Sequence, residues 1–137
     1  MKTILSALFG MLFLFSCSSS SRMMTVPDEN LVEIEKNKDE YELIVMDPGF
    51  DSWFITTWSP AKDRSLSYYN SWNQRYVTAW NYKATRPLTS KYFENIIMYD
   101  PTVDYGIELE RKLYYYFRYV DTKLGIPILD GQPPAIL

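Results

Sequence analysis

The side chains best suited to chemistry are four aspartates in two copies of an Asp-Pro-x-x-Asp motif. Glu42–Trp53 (ELIVMDPGFDSW) and Asn95–Gly106 (NIIMYDPTVDYG) align at an offset of 53 residues, and each is a short apolar run closed by that motif. If the two runs are strands lying side by side and parallel, their ends gather Asp47, Asp51, Asp100 and Asp104. Such a set could hold a hard cation through carboxylate oxygens or act as an acid and base pair. Two acids about 5 to 9 Å apart also suffice for glycoside hydrolysis. The plainer expectation is that each Asp-Pro ends a strand and each second aspartate starts a helix, and those duties need no ligand.

The chain has no histidine and one cysteine, Cys17. That removes Ser-His-Asp and Cys-His nucleophiles, histidine-ligated zinc and the usual base near neutral pH. Any enzyme here would run on carboxylates, lysine or tyrosine. No glycine-rich phosphate loop and no motif for a cofactor is present, so neither an enzyme nor a cofactor is expected. With a formal net charge of −3, the chain also lacks the basic footprint that nucleic-acid binders need.

Cys17 has its own chemistry. It follows Lys2, an apolar run of about a dozen residues from Ile4 to Phe15, and Ser16, the three parts of a secretory signal. The run is too short to span a bilayer, which takes roughly 20 apolar residues. In one reading residues 1–16 are a lipoprotein signal, and the thiol of Cys17 takes a diacylglycerol. In the other, Cys17 is a chance residue near an ordinary secretory cleavage site. Ser18–Ser21 supply the polar tether that a lipid anchor carries, which favours the first. Acyl chains contribute about 0.8 kcal/mol per buried CH₂, and more than one makes attachment stable. The position after Cys17 is serine rather than aspartate, and no cluster of acids follows it immediately.

The elements that must position these residues come next. Residues 17–40 read as a lipidated cysteine and flexible stalk, serine-rich and then charged, with a short helix near Leu31 to Glu35. Residues 41–124 hold all twelve tyrosines and all four tryptophans and read as one globular domain whose core is built from rings, each able to bury about 150–250 Å². Leu66, Tyr69, Trp72, Tyr76, Val77 and Trp80 recur at helical steps over 65–82, with Gln74, Arg75 and Thr78 on the polar face. A second helix over 103–124 places Leu113, Tyr114, Phe117 and Val120 inward. Glu108, Arg111, Lys112 and Arg118 would face water. Gly125 suits its carboxyl-terminal cap, and 125–137 read as an irregular tail. The expected fold is α+β, with two or three short strands packed on two main helices and a strand-DPxxD-helix unit used twice.

YELIVMDPGFDSW, YVTAWN (Tyr76–Asn81) and YDPTVDYGIELERKLYYYF (Tyr99–Phe117) together resemble an uncharacterised family of small lipoproteins from Bacteroidetes, a domain of unknown function. The resemblance implies an envelope lipoprotein of a two-membrane bacterium, for which the residues after Cys17 make the periplasmic face of the outer membrane the expected address, and it carries no activity with it. The leading expectation is therefore a non-enzymatic interaction module, tethered to the membrane by lipid, that meets an envelope protein or glycan. Trp58, in a loop beside Pro60, is the aromatic expected to be exposed, and Asn81, Tyr82 and Arg86 could line a pocket. Changing Cys17→Ser is expected to move the protein from the detergent phase to the aqueous phase of a Triton X-114 partition; unchanged partition would remove the lipid.

Overall fold

The computed structural model describes residues 31–86 and 92–131. The expected signal, Cys17, the first part of the stalk and the end of the tail lie outside those residues.

The first described element is a strand, β1 (Val32–Asn37), not the expected helix. It pairs antiparallel with β2 (Glu40–Val45), with Val32 opposite Val45 and Asn37 opposite Glu40. Lys38, at φ 50°, begins the two-residue connection. The physical cause is a period of two hidden by charge. Val32, Ile34 and Lys36 lie opposite Val45, Leu43 and Tyr41 on one face, where Val32 and Leu43 are buried and the Lys36 ammonium sits 5.5 Å over the Tyr41 ring. Glu33, Glu35 and Glu42 take the solvent face, so the charges that suggested a stalk are one side of a ribbon.

Asp47 then caps α1 (Pro48–Thr57), accepting the Gly49 N–H at 2.8 Å. Pro48 is at its first turn, where its fixed φ suits a helix and its missing N–H costs nothing. The cap is thus the first aspartate of the motif, and Asp51 lies in the first turn near the positive end of the dipole. A short 3-10 turn, Pro60–Lys62, leads to α2 (Leu66–Ala84), where the Ser65 side chain accepts the Tyr68 N–H.

The second Asp-Pro-x-x-Asp unit folds differently. No strand forms between 92 and 106, and α3 (Ile107–Thr122) starts at Gly106 without a side-chain cap. Asp100 instead accepts the N–H and hydroxyl of Thr102 (2.9 and 2.7 Å), and Asp104 accepts the Gly106 N–H. Both aspartates fold turns. The described architecture is a small α+β domain, one two-stranded antiparallel sheet and three α-helices.

α3 is the axis of the core. Ten of its sixteen residues are buried, so it is enclosed on most of its circumference rather than along one stripe. It packs against α1, α2 and β2. Phe50 meets Tyr116 and Tyr119 edge-on, and Tyr76 stacks on Phe117 at 5.0 Å. Arg118, expected in water, is 3% exposed. Its guanidinium donates to the Tyr76 hydroxyl at 3.3 Å, because enclosure leaves that face of the helix no route to solvent. After α3, Gly125 (φ 69°) turns the chain, and Ile128 is fully buried with its N–H on the Asp121 carboxylate. The domain therefore reaches past the expected 41–124 at both ends.

Gly49 marks a close approach between α1 and α3. A Cβ there would lie 2.5 Å from the Tyr119 hydroxyl, which itself donates to Asp47 at 3.1 Å. Gly49→Ala is expected to cost about 1–3 kcal/mol in urea unfolding, and adding Tyr119→Phe, which removes the colliding oxygen, should return part of it. Strict additivity of the two changes would show that the contact is not the cause.

Candidate functional site

The four aspartates do not converge. Asp47 caps α1 and accepts from Tyr119, Asp51 lies 3.8 Å from the Lys112 ammonium, and Asp100 and Asp104 each close a local turn. The parallel strand pair that would have gathered them is missing, since the sheet is antiparallel and contains only β1 and β2. Among the described residues no three Asp, Glu, His or Cys side chains are grouped to hold a metal ion.

Trp58 is half-buried, a correction to its expected exposure. As the residue ending α1 it stacks on Phe54 at 5.8 Å, and the Arg111 guanidinium covers its ring at 4.8 Å. Arg111 in turn forks onto Asp63 with bonds of 2.8 and 2.6 Å, and Asp63 also accepts the Tyr69 hydroxyl at 2.7 Å. The Arg111 bond holds the Asp63 carboxyl down at about 2. Burial, with Asp63 beside it, pushes the Tyr69 phenol up to about 12. This cluster joins the loop after α1 to α2 and α3, and its groups are committed to one another.

Among the described residues Glu110 is the acid whose pKa is raised. It is fully buried between α2, α3 and the 92–106 segment, where Asn73 donates to Oε2 at 2.6 Å and Tyr99 donates to Oε1 at 3.0 Å. Burial raises its pKa, and the charge of Asp104 adds to the rise, while the Asn73 and Tyr99 bonds oppose it. Such an acid resembles a catalytic one in its titration. It differs in access, since no solvent reaches it. Sequence pattern placed neither Asn73 nor Glu110 inside, because both fit a solvated helix face by type.

Among the concavities of the described surface, the most apolar lies on the outer side of α2, while one of about 550 Å³ between the hairpin turn and the start of α3 is mostly polar. An open groove of about 520 Å³ runs between Gln74, Arg75, Thr78, Ala79, Tyr82 and Lys83 of α2 and Ile128 and Asp130 of the carboxyl-terminal segment. Its floor is apolar and its rim carries cations held on aromatic faces. Arg75 sits 4.9 Å from the Trp72 ring and Arg86 4.1 Å from Tyr82, which is half-exposed. Lys83 Nζ donates to the Pro127 carbonyl at 2.8 Å, fixing the far wall. Of the residues expected to line a pocket, Tyr82 lines this groove, and Asn81, bonded to Ile97, lines a second cavity of about 410 Å³ with Ile96, Met98 and Tyr105.

The pattern of a family of unknown function, DUF6146, matches residues 4–131. The chain belongs to that family. No curated protein and no solved structure matches it. In this DUF6146 member no helix among the described residues is long and apolar enough to cross a membrane.

The Glu110 environment has a measurable signature in this DUF6146 domain. Its folded pKa lies above the ordinary 4.5, so its contribution to stability is complete below that value and is lost as pH rises through the folded value. Urea midpoints from pH 4 to 8 should fall more for the natural chain than for Glu110→Gln, which keeps the shape and cannot ionise. With no histidine in the chain, little else titrates above the carboxylates. Parallel pH profiles would mean that Glu110 is not the source.

Proposed function

We propose that this protein is a non-enzymatic interaction module of a bacterial cell envelope, anchored through lipid on Cys17 at the periplasmic face of the outer membrane, with the outer face of α2 meeting an envelope protein or glycan. The observation that carries the binding role is the α2 groove. It combines an apolar floor, hydrogen-bonding rims at Gln74, Thr78 and Asp130, and the cation-backed Tyr82 ring on a chain whose net charge is negative. Those are the ingredients of a site that orients a ligand with a few polar groups on a mostly apolar wall.

The commitment of the described acids Asp47, Asp63, Asp100 and Asp104 to caps, turns and internal bonds supports binding over turnover. Among the described residues the acid with a raised pKa is sealed beneath Asn73 and Tyr99, whereas a general acid must come within hydrogen-bond reach of its substrate. The address rests on the leader and Cys17. The family match begins at residue 4 and so takes in the apolar run and the cysteine, which supports a leader shared with relatives rather than a chance pairing. The likeness to Bacteroidetes lipoproteins points the same way.

A photo-crosslinking amino acid at Tyr82 in living cells should trap a discrete adduct that is missing when the same group replaces Ile55, which is 76% exposed on α1. Protease-resistant adducts would identify a glycan and protease-sensitive ones a protein. Identical patterns from the two positions would remove the groove as the binding face.

A further inference from the structure

Residues Glu94 to Asp100 run outside the sheet as a strand-like segment with a bend at Asn95. Exposure alternates strictly along them, with Glu94, Ile96, Met98 and Asp100 outward and Ile97 1% exposed. The Ile97 N–H donates to Asn81 Oδ1 at 2.8 Å, and the Ile97 carbonyl accepts from Asn81 Nδ2 at 2.9 Å. One amide can take both bonds only if the N–H and C=O of Ile97 point the same way, as they do in extended chain. The Asn95 carbonyl lies on the same side, accepting from Trp80 Nε1 at 2.8 Å. Two side chains of α2 thus stand in for a neighbouring strand along one edge.

The opposite edge belongs to Ile96 and Met98. Their backbone groups have no partner among the described residues, and their side chains are 53% and 76% exposed. An open edge with apolar side chains is a template for another strand. Charge decides among candidates. The outward face reads Glu94, Ile96, Met98, Asp100, acid at both ends. A second copy pairing antiparallel about Ile97 would set Glu94 opposite Asp100 of the other copy twice over, and directly opposed like charges destabilise a pair.

We infer that the edge of residues 94–100 binds an extended peptide strand from a partner protein, with apolar residues at two alternate positions and a basic residue two positions beyond each. The Ile96 and Met98 N–H and C=O groups pair with the peptide backbone, the apolar side chains cover Ile96 and Met98, and the basic groups face Glu94 and Asp100. This surface is separate from the α2 groove and stands whether or not that groove binds anything.

The probe is the blocked peptide Lys-Thr-Val-Thr-Val-Thr-Lys, titrated into the full-length chain and followed by amide NMR and hydrogen exchange. Binding should slow exchange at the Ile96 and Met98 amides selectively. Glu94→Lys should weaken it by about 2–5-fold, the range of one cross-strand charge pair, and a Glu-ended version of the peptide should bind less well. Ile96→Pro, which deletes a donor the fold does not use, should abolish it. Independently of how that variant folds, N-methylation of the two peptide valines should do the same from the ligand side. The inference is overturned if the peptide leaves both amides unprotected or if N-methylation has no effect. It is equally overturned if both amides are already protected in the free chain, whether by self-association seen in sedimentation or by a segment whose deletion from 17–30 exposes them.

Discussion

Burying a phenol without stranding its hydroxyl is the constraint on which the rest of this structure depends. α3 carries Tyr114, Tyr115, Tyr116 and Tyr119, all nearly or fully buried, and a buried hydroxyl left without a partner costs free energy comparable to a lost hydrogen bond. The surrounding elements supply partners to three of these four. Tyr68 of α2 meets the Tyr114 hydroxyl, Tyr92 meets that of Tyr116, and Asp47 at the start of α1 takes that of Tyr119, at 3.2, 3.2 and 3.1 Å. Each bond comes from a different element, so partnering the tyrosines and docking the elements are the same event. Burial pushes the Tyr114 and Tyr116 phenols far above their usual range, which keeps them neutral.

Charged groups follow the same logic in part. Glu110 is drawn inside with α3 and held by Asn73 and Tyr99, whereas Arg118 donates to the Tyr76 hydroxyl while its Nε stays buried without a partner. Neither buried charge forms an ion pair among the described residues. The ion pair with good geometry, Arg111 on Asp63, sits nearer the surface, where the guanidinium also shields Trp58. Polar side chains here orient elements more than they add net stability.

Legibility in the sequence tracked how strongly one local signal ruled. α2 was readable nearly to the residue, since Ser65 is a good cap and its rings recur at helical spacing. Gly125 was readable because the chain had to turn there. β1 was not, because Glu33 and Glu35 dominate its composition while only Val32 and Ile34 carry the period. The two Asp-Pro-x-x-Asp motifs share letters and not structure. Pro48-Gly49 runs straight into a helix, whereas the Thr102 hydroxyl and Tyr105, which takes the Asp100 N–H at 2.9 Å, divert the second copy into turns. The α2 groove was half-visible through Tyr82, but its far wall, Ile128 and Asp130, comes from a segment that composition marked as an irregular tail.

Ile128 has a consequence for the order in which the molecule can be completed. Val32, at the beginning of the described chain, and Ile128, near its end, are both fully buried in one core, and Asn95 reaches across 63 residues to donate to the Val32 carbonyl. A chain emerging from the amino end can form the hairpin and α2 early, yet the core they share stays incomplete until Ile128 arrives. Closure is therefore a late, long-range step, and a nascent or truncated chain that stops short of Ile128 would leave that apolar core open for a chaperone to hold.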